Sequence, residues 1–168
     1  QGPSIKILLR LDTVLTRIEG ALLVLFLSVM VVLSFVQVIL RNAFSESLLW
    51  GDILLRHLVL WIGFIGAALA TSKDRHINID ALTRFLPRRL KITAKIITNL
   101  FAATVCYFLF RASLTFLNNE LSESSTVVGE IPSVYSQIII PIGFGLIILH
   151  FLIRIAAGLQ TLISRESA

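Results

Sequence analysis

Residues 20–40 hold no charged side chain and consist almost wholly of Leu, Val, Ile, Phe and Ala. A run of about twenty such residues, rising 1.5 Å each as a helix, matches the ~30 Å hydrocarbon core of a bilayer. Three further stretches meet the same criterion. Residues 58–70 become long enough once 48–57 are added, 92–117 cross with Lys95 at one end and Arg111 inside, and 131–153 are again free of charge. In a chain of 168 residues, four such stretches leave no room for a separate soluble core. Charged residues are 15% of the chain, against roughly a quarter in a soluble domain. A soluble enzyme, a disordered chain and a disulfide-framed secreted domain are excluded.

The expected fold is an all-α integral membrane protein with four transmembrane helices and an N-terminal amphipathic arm lying in the membrane plane. Gln1-Gly2-Pro3 reads as the remnant of a protease-cleavage linker, since the only methionine is Met30. The expected organisation then runs 4–18 arm, 19–42 first span, 47–72 second span, 73–86 basic loop with a short amphipathic helix, and 87–117 third span. An acidic loop at 118–130, a fourth span at 131–154 and a tail at 155–168 complete it.

Orientation follows from where Lys and Arg fall in the short connections. Lys6, Arg10 and Arg17 precede the first span. Lys73, Arg75, Arg84, Arg88, Arg89 and Lys91 lie between the second and third, and Arg154 and Arg165 follow the fourth. The opposite side has Arg41 and Arg56, and its second connection bears Glu120, Glu123 and Glu130 instead. Both termini are expected in the cytoplasm. The net charge of +5 is thereby assigned to anionic phospholipid and membrane orientation rather than to nucleic acid.

In residues 4–18, Ile7, Leu8, Leu11, Val14, Leu15 and Ile18 recur at helical spacing, with Lys6, Arg10, Thr13 and Arg17 on the other side. Such a segment lies at the headgroups with its cations toward anionic lipid; a cytoplasmic extension of the first span is the plainer alternative. Asp80 is placed to cap a short amphipathic helix through Leu86. Gly63 with Ala67, and Gly66 with Ala70, form small-xxx-small pairs that let another helix approach span two closely.

Ionisable groups inside a span are costly and raise a functional question. Arg111 can reach an interface with its long stem or meet a carboxylate of another chain. Asp52 and Arg56, four apart, suit a helical ion pair. Trp50 suits an interfacial anchor, while Trp61 is too deep for one. His57, Gln37, Asn99, Gln137 and His150 read as isolated interhelical hydrogen-bonding groups. Pro141 is expected to kink span four. Cys106 reads as a buried thiol, and His57 and His150 fall at different depths, which speaks against haem ligation. No phosphate loop, nucleophile–base pair or metal-ligand spacing is present. No enzymatic activity, cofactor or metal is expected.

Trp50-Gly51-Asp52, Arg56, Trp61, Gly66-Ala67-Ala68, His76-Ile77-Asn78-Ile79-Asp80 and Leu86-Pro87 together resemble one family. It is the small, Q-type membrane subunit of tripartite ATP-independent periplasmic (TRAP) transporters. The one departure is Gly51-Asp52-Ile53, where that family commonly has two successive acids. The resemblance implies a bacterial inner-membrane protein that binds a large multispanning subunit working by an elevator-like movement. It further implies that a periplasmic binding protein supplies the solute and that a sodium gradient drives uptake.

On that basis Trp61, Gly63, Gly66, Ala67 and Ala70 are expected at the large-subunit interface. Trp50, Asp52, Arg56, His76 and Asp80 form the structural motif. Lys6, Arg10 and Arg17 face lipid headgroups, and Arg41, Glu46, Glu120, Glu123 and Glu130 are candidates for docking the binding protein. C4-dicarboxylates, sialic acid and other organic acids remain open as solutes. An anchor subunit of another complex and a small homo-oligomeric transporter are the competing readings.

Overall fold

The computed structural model describes residues 3–44, 49–73, 88–123, 126–128 and 131–166. Four long helices dominate: α1 (Pro3–Phe44), α2 (Leu49–Lys73), α3 (Arg88–Glu123) and α5 (Ile139–Glu166). Between α3 and α5 come two short antiparallel strands, β1 (Thr126–Val128) and β2 (Ile131–Pro132), and the single turn α4 (Val134–Gln137). All four long helices contain stretches long and apolar enough to cross a membrane.

The packing order is α1, α2, α5, α3. The α3–α5 contact is the most extensive, those of α1 with α2 and of α2 with α5 follow, and α1 touches α5 only locally. Among the described residues no substantial contact joins α1 to α3, so the helices form an open row rather than a closed bundle. Long apolar side chains consequently point outward, among them Val24, Val32, Phe35 and Val38 on α1 and Phe101 and Phe108 on α3. In water such a surface would be untenable; lipid makes it ordinary.

Three boundaries differ from expectation. First, α1 continues through 4–18 into the span without a break. Its 42 residues extend about 63 Å, twice the hydrocarbon thickness. No glycine or proline lies between Ser4 and Glu19 to interrupt it. Pro3, set aside with the linker remnant, is the first helical residue, a position that tolerates proline because its missing N–H would have had no partner there.

Second, α3 runs past residue 117 to Glu123, with the Ser122 hydroxyl donating to the carbonyl of Asn118 at 3.0 Å. Half of the expected acidic loop is therefore helix.

Third, the fourth span does not begin as helix at 131. Residues 131 and 132 pair as β2, Ser133 starts α4, and the helix is interrupted at Ile138 before α5. The interruption stands three residues before Pro141, which has no N–H to give the carbonyl of Gln137. Past it, Ile142 donates weakly to Ile138 at 3.4 Å.

The break lets α5 settle on α2. Pro141 and Gly143 are buried, and Phe144 meets Phe64 edge-on with ring centroids 5.3 Å apart. An added Cβ at Gly143 would lie 2.6 Å from Cδ1 and 2.8 Å from Cβ of Phe64, so only glycine permits this approach. Further along, Gly158 passes Ile96 of α3 in the same manner, at 3.1 Å from a would-be Cβ.

Candidate functional site

Among the described residues, two polar constellations interrupt the apolar packing, one toward each end of the helices. At the end where α2 finishes, α1 presents Asp12, Thr16 and Glu19, spaced i, i+4 and i+7 and hence on one face. His150 of α5 lies between the two acids. Its Nδ1 is 2.7 Å from Oδ1 of Asp12, and its Nε2 is 3.0 Å from Oε1 and 3.3 Å from Oε2 of Glu19. His150 and Glu19 are 1% and 2% exposed, so water does not compensate them and the contacts must. The Thr16 hydroxyl donates to the carbonyl of Asp12 at 2.7 Å, which uses its one hydrogen; the buried Ser72 of α2 therefore donates to Thr16 across 2.5 Å. One polar cluster thus ties α1 to both α2 and α5.

The sequence pattern marks His150 as an isolated hydrogen-bonding group and assigns no role to Asp12 or Glu19. The usable signal was the i, i+4, i+7 polar stripe running into the first span. It was obscured because the basic residues of the same segment drew the amphipathic assignment.

At the other end an apolar cleft of about 510 Å³ opens between Phe26 of α1, the first turns of α2 and the β2–α4 segment. Trp50, His57, Trp61, Pro132 and Tyr135 are among its walls. Trp61 packs edge-on against Phe26 at 5.6 Å and donates its indole N–H to the carbonyl of Ser136 at 3.0 Å. His57 is half-buried, its Nδ1 2.6 Å from the Ile53 carbonyl within its own helix. Behind the cleft, the Ser133 hydroxyl donates to Oε1 of Glu120 at 2.5 Å, joining the start of α4 to the last turn of α3.

The residues expected at a partner interface separate into two groups. Gly63, Ala67 and Ala70 form an exposed stripe on α2, and nothing lies within 4 Å of a Cβ placed on Gly63. Trp61 and Gly66 face inward: the first holds α1 and α4, and the second lies 3.6 Å (from a built Cβ) from Leu23 of α1. Both serve this chain's own packing. Glu120, expected as a free docking charge, is half-buried and engaged by Ser133.

Trp50, Asp52, Arg56, Arg41, Arg10, Arg17 and Arg111 are exposed. Glu46, His76, Asp80 and Glu130 lie outside the described residues, as do the side chains of Lys6 and Glu123. Among the described residues no group of three or more His, Cys, Asp or Glu has the arrangement of a metal site.

The profile of the DctQ component of tripartite ATP-independent periplasmic transporters matches residues 30–161. A Haemophilus influenzae protein assigned as a TRAP transporter small permease is 27% identical over 103 residues, 61% of this chain and 64% of that one. The C4-dicarboxylate TRAP transporter small permease protein DctQ of Vibrio cholerae is 31% identical over 74 residues, 44% of this chain and 32% of its own length. The ectoine TRAP transporter small permease protein TeaB of Halomonas elongata is 30% identical over 107 residues, covering 64% of this chain and 55% of that protein. The chain spans less than two thirds of the length of each of these relatives. All three are named as transporter subunits, not as enzymes.

Proposed function

The chain belongs to the DctQ component family of tripartite ATP-independent periplasmic transporters, and from that membership we propose that it is the non-catalytic small membrane subunit of a sodium-driven, binding-protein-dependent uptake system. Its solute is an organic acid or a similarly polar small molecule, of the kind named for the dicarboxylate and ectoine relatives. In this reading it sits in the bacterial inner membrane with both termini cytoplasmic. It binds a large multispanning subunit and enlarges the fixed scaffold against which that subunit moves.

The observation that supports this reading best is the open row of helices. A self-sufficient carrier needs a polar path enclosed by protein, whereas here α1 and α3 end the row with outward apolar faces. Their long side chains suit lipid and the helices of a larger partner equally. Rigidity of the row, needed in a stator, is supported by the polar ties toward both ends of its helices. Among the exposed features, the Gly63, Ala67, Ala70 stripe is the surface offered to the large subunit, since small residues let helix backbones approach. The arginines of α1's first turns hold that end at anionic headgroups.

Co-expression with the large subunit tests the proposal. Ala67→Leu should abolish co-purification while leaving the chain's own thermal unfolding unchanged, because residue 67 is exposed. Gly66→Leu should instead lower that stability, because it meets Leu23. A complex that survives Ala67→Leu intact removes the stripe from the interface. Solute flux through vesicles containing this chain alone would refute the scaffold role altogether.

A further inference from the structure

Both ring nitrogens of His150 face a carboxylate oxygen within hydrogen-bonding distance, on opposite sides of the imidazole. A neutral imidazole donates from one nitrogen and accepts at the other. An ionised carboxylate only accepts. One neutral imidazole between two carboxylates would therefore place a ring lone pair against a carboxylate lone pair at 2.7 or 3.0 Å, in a pocket where the ring is 1% exposed. Low local polarity makes that repulsion costly. One additional hydrogen turns the repelling contact into a charge-assisted bond.

We propose that Asp12, Glu19 and His150 form a buried proton-holding site, in which His150 is an imidazolium donating from Nδ1 to Asp12 and from Nε2 to Glu19. The bound proton joins α1 to α5 from both sides of the ring, and Thr16 with Ser72 extends the tie to α2. Among the described residues, the charged groups within hydrogen-bonding distance of the ring are the two α1 carboxylates. Among the described residues of α2, the neutral Ser72 hydroxyl joins the cluster. Arg154 follows one turn further along α5 and is itself engaged, as is Lys95 of α3, beside the Ile96 that meets Gly158.

Nitrogen NMR of the imidazole reads the proton directly. The chain has three histidines, so His57→Gln with His76→Gln leaves His150 as the single signal. In nanodiscs of phosphatidylethanolamine and phosphatidylglycerol at neutral pH, both ring nitrogens should show the protonated shift. One protonated and one bare nitrogen would overturn the proposal. Introducing Glu19→Gln into the same background removes the second carboxylate and supplies an amide N–H that can donate to Nε2. The ring should then lose its second hydrogen, and an unchanged doubly protonated spectrum would overturn the assignment to these carboxylates. If that variant does not fold, the spectrum with Glu19 in place decides by itself.

Discussion

Replacing Gly143 by alanine probes the tightest of the described glycine contacts. In the interior of a helix the substitution alone is favourable by about 1 kcal/mol, because alanine loses less backbone freedom. Against that stands the geometry: the new methyl would lie 2.6, 2.8 and 3.0 Å from Cδ1, Cβ and Cγ of Phe64. Rotating the ring can relieve the contact with Cδ1 but not the one with Cβ, which is fixed to the α2 backbone. The helices must therefore separate by several tenths of an ångström, and the Phe64–Phe144 pair loosens with them. Overpacking of this kind costs typically about 1–3 kcal/mol, and the rigidity of the obstruction puts it in the upper half. A net loss of about 1–2 kcal/mol is expected. Gly63→Ala supplies the control on the same packing pair: nothing lies within 4 Å, so it should be neutral or mildly stabilising. Reversible unfolding in mixed micelles, titrated with a denaturing detergent, measures both. The decisive comparison is a cycle with Phe64→Ala, which removes the ring but leaves Cβ; part of the Gly143→Ala penalty should persist. Equal stability of Gly143→Ala and Gly63→Ala would refute the claim that this glycine is required by α2.

Three other outcomes follow from the ties at the Trp50 end. Trp61→Phe retains the edge-on contact with Phe26 but deletes the indole donor to Ser136, and should cost about 1 kcal/mol in the same unfolding assay. Ser133→Ala removes the hydroxyl bonded to Glu120, so a loss of about 1–2 kcal/mol is expected, and Ser133→Thr should restore most of it. Charge reversal at Glu120 should lower stability of the isolated chain, whereas reversal at the exposed Arg41 should not; a docking assay with a binding protein is interpretable for Arg41 and not for Glu120.

The spans were legible because one rule governs them: uncharged length must match the bilayer, and 20–40 and 131–153 satisfy it on inspection. The helix ends were not. Whether Asn118 to Glu123 continues α3 depends on the strands and α4 beyond it, which no local pattern reports. Likewise, small residues at 63, 66, 67 and 70 announce close packing but not direction, since a glycine that admits Leu23 looks identical to one that admits a partner. The His150 cluster was hidden for a different reason. His150 is more than 130 positions from Asp12 and Glu19, and the amphipathic pattern of α1 assigns Asp12 no role while Arg10 and Arg17 have one. Two acids seven residues apart beside the apolar face of α1, away from its basic stripe, are the mark that would have exposed it.

These features converge on how a row of helices stays ordered in lipid. Burying apolar surface gives no net drive there, since acyl chains solvate leucine as well as another helix does. What remains is close packing and polar bonds that lipid cannot replace. Among the described residues, polar bonds gather toward the two ends of the helices, Asp12, Glu19 and His150 with Thr16 and Ser72 at one, Trp61 with Ser136 and Glu120 with Ser133 at the other. Between them the chain relies on Gly143 meeting Phe64 and Gly158 meeting Ile96. An arrangement pinned at both ends and tight in the middle resists shear between neighbouring helices. Its outer faces are largely apolar, which suits lipid and, in the role proposed above, the helices of a larger partner. The same economy explains why so few ionisable groups lie within the spans: each one on α1 and α5 that is deeply buried, Glu19 and His150, is used to hold one helix to another.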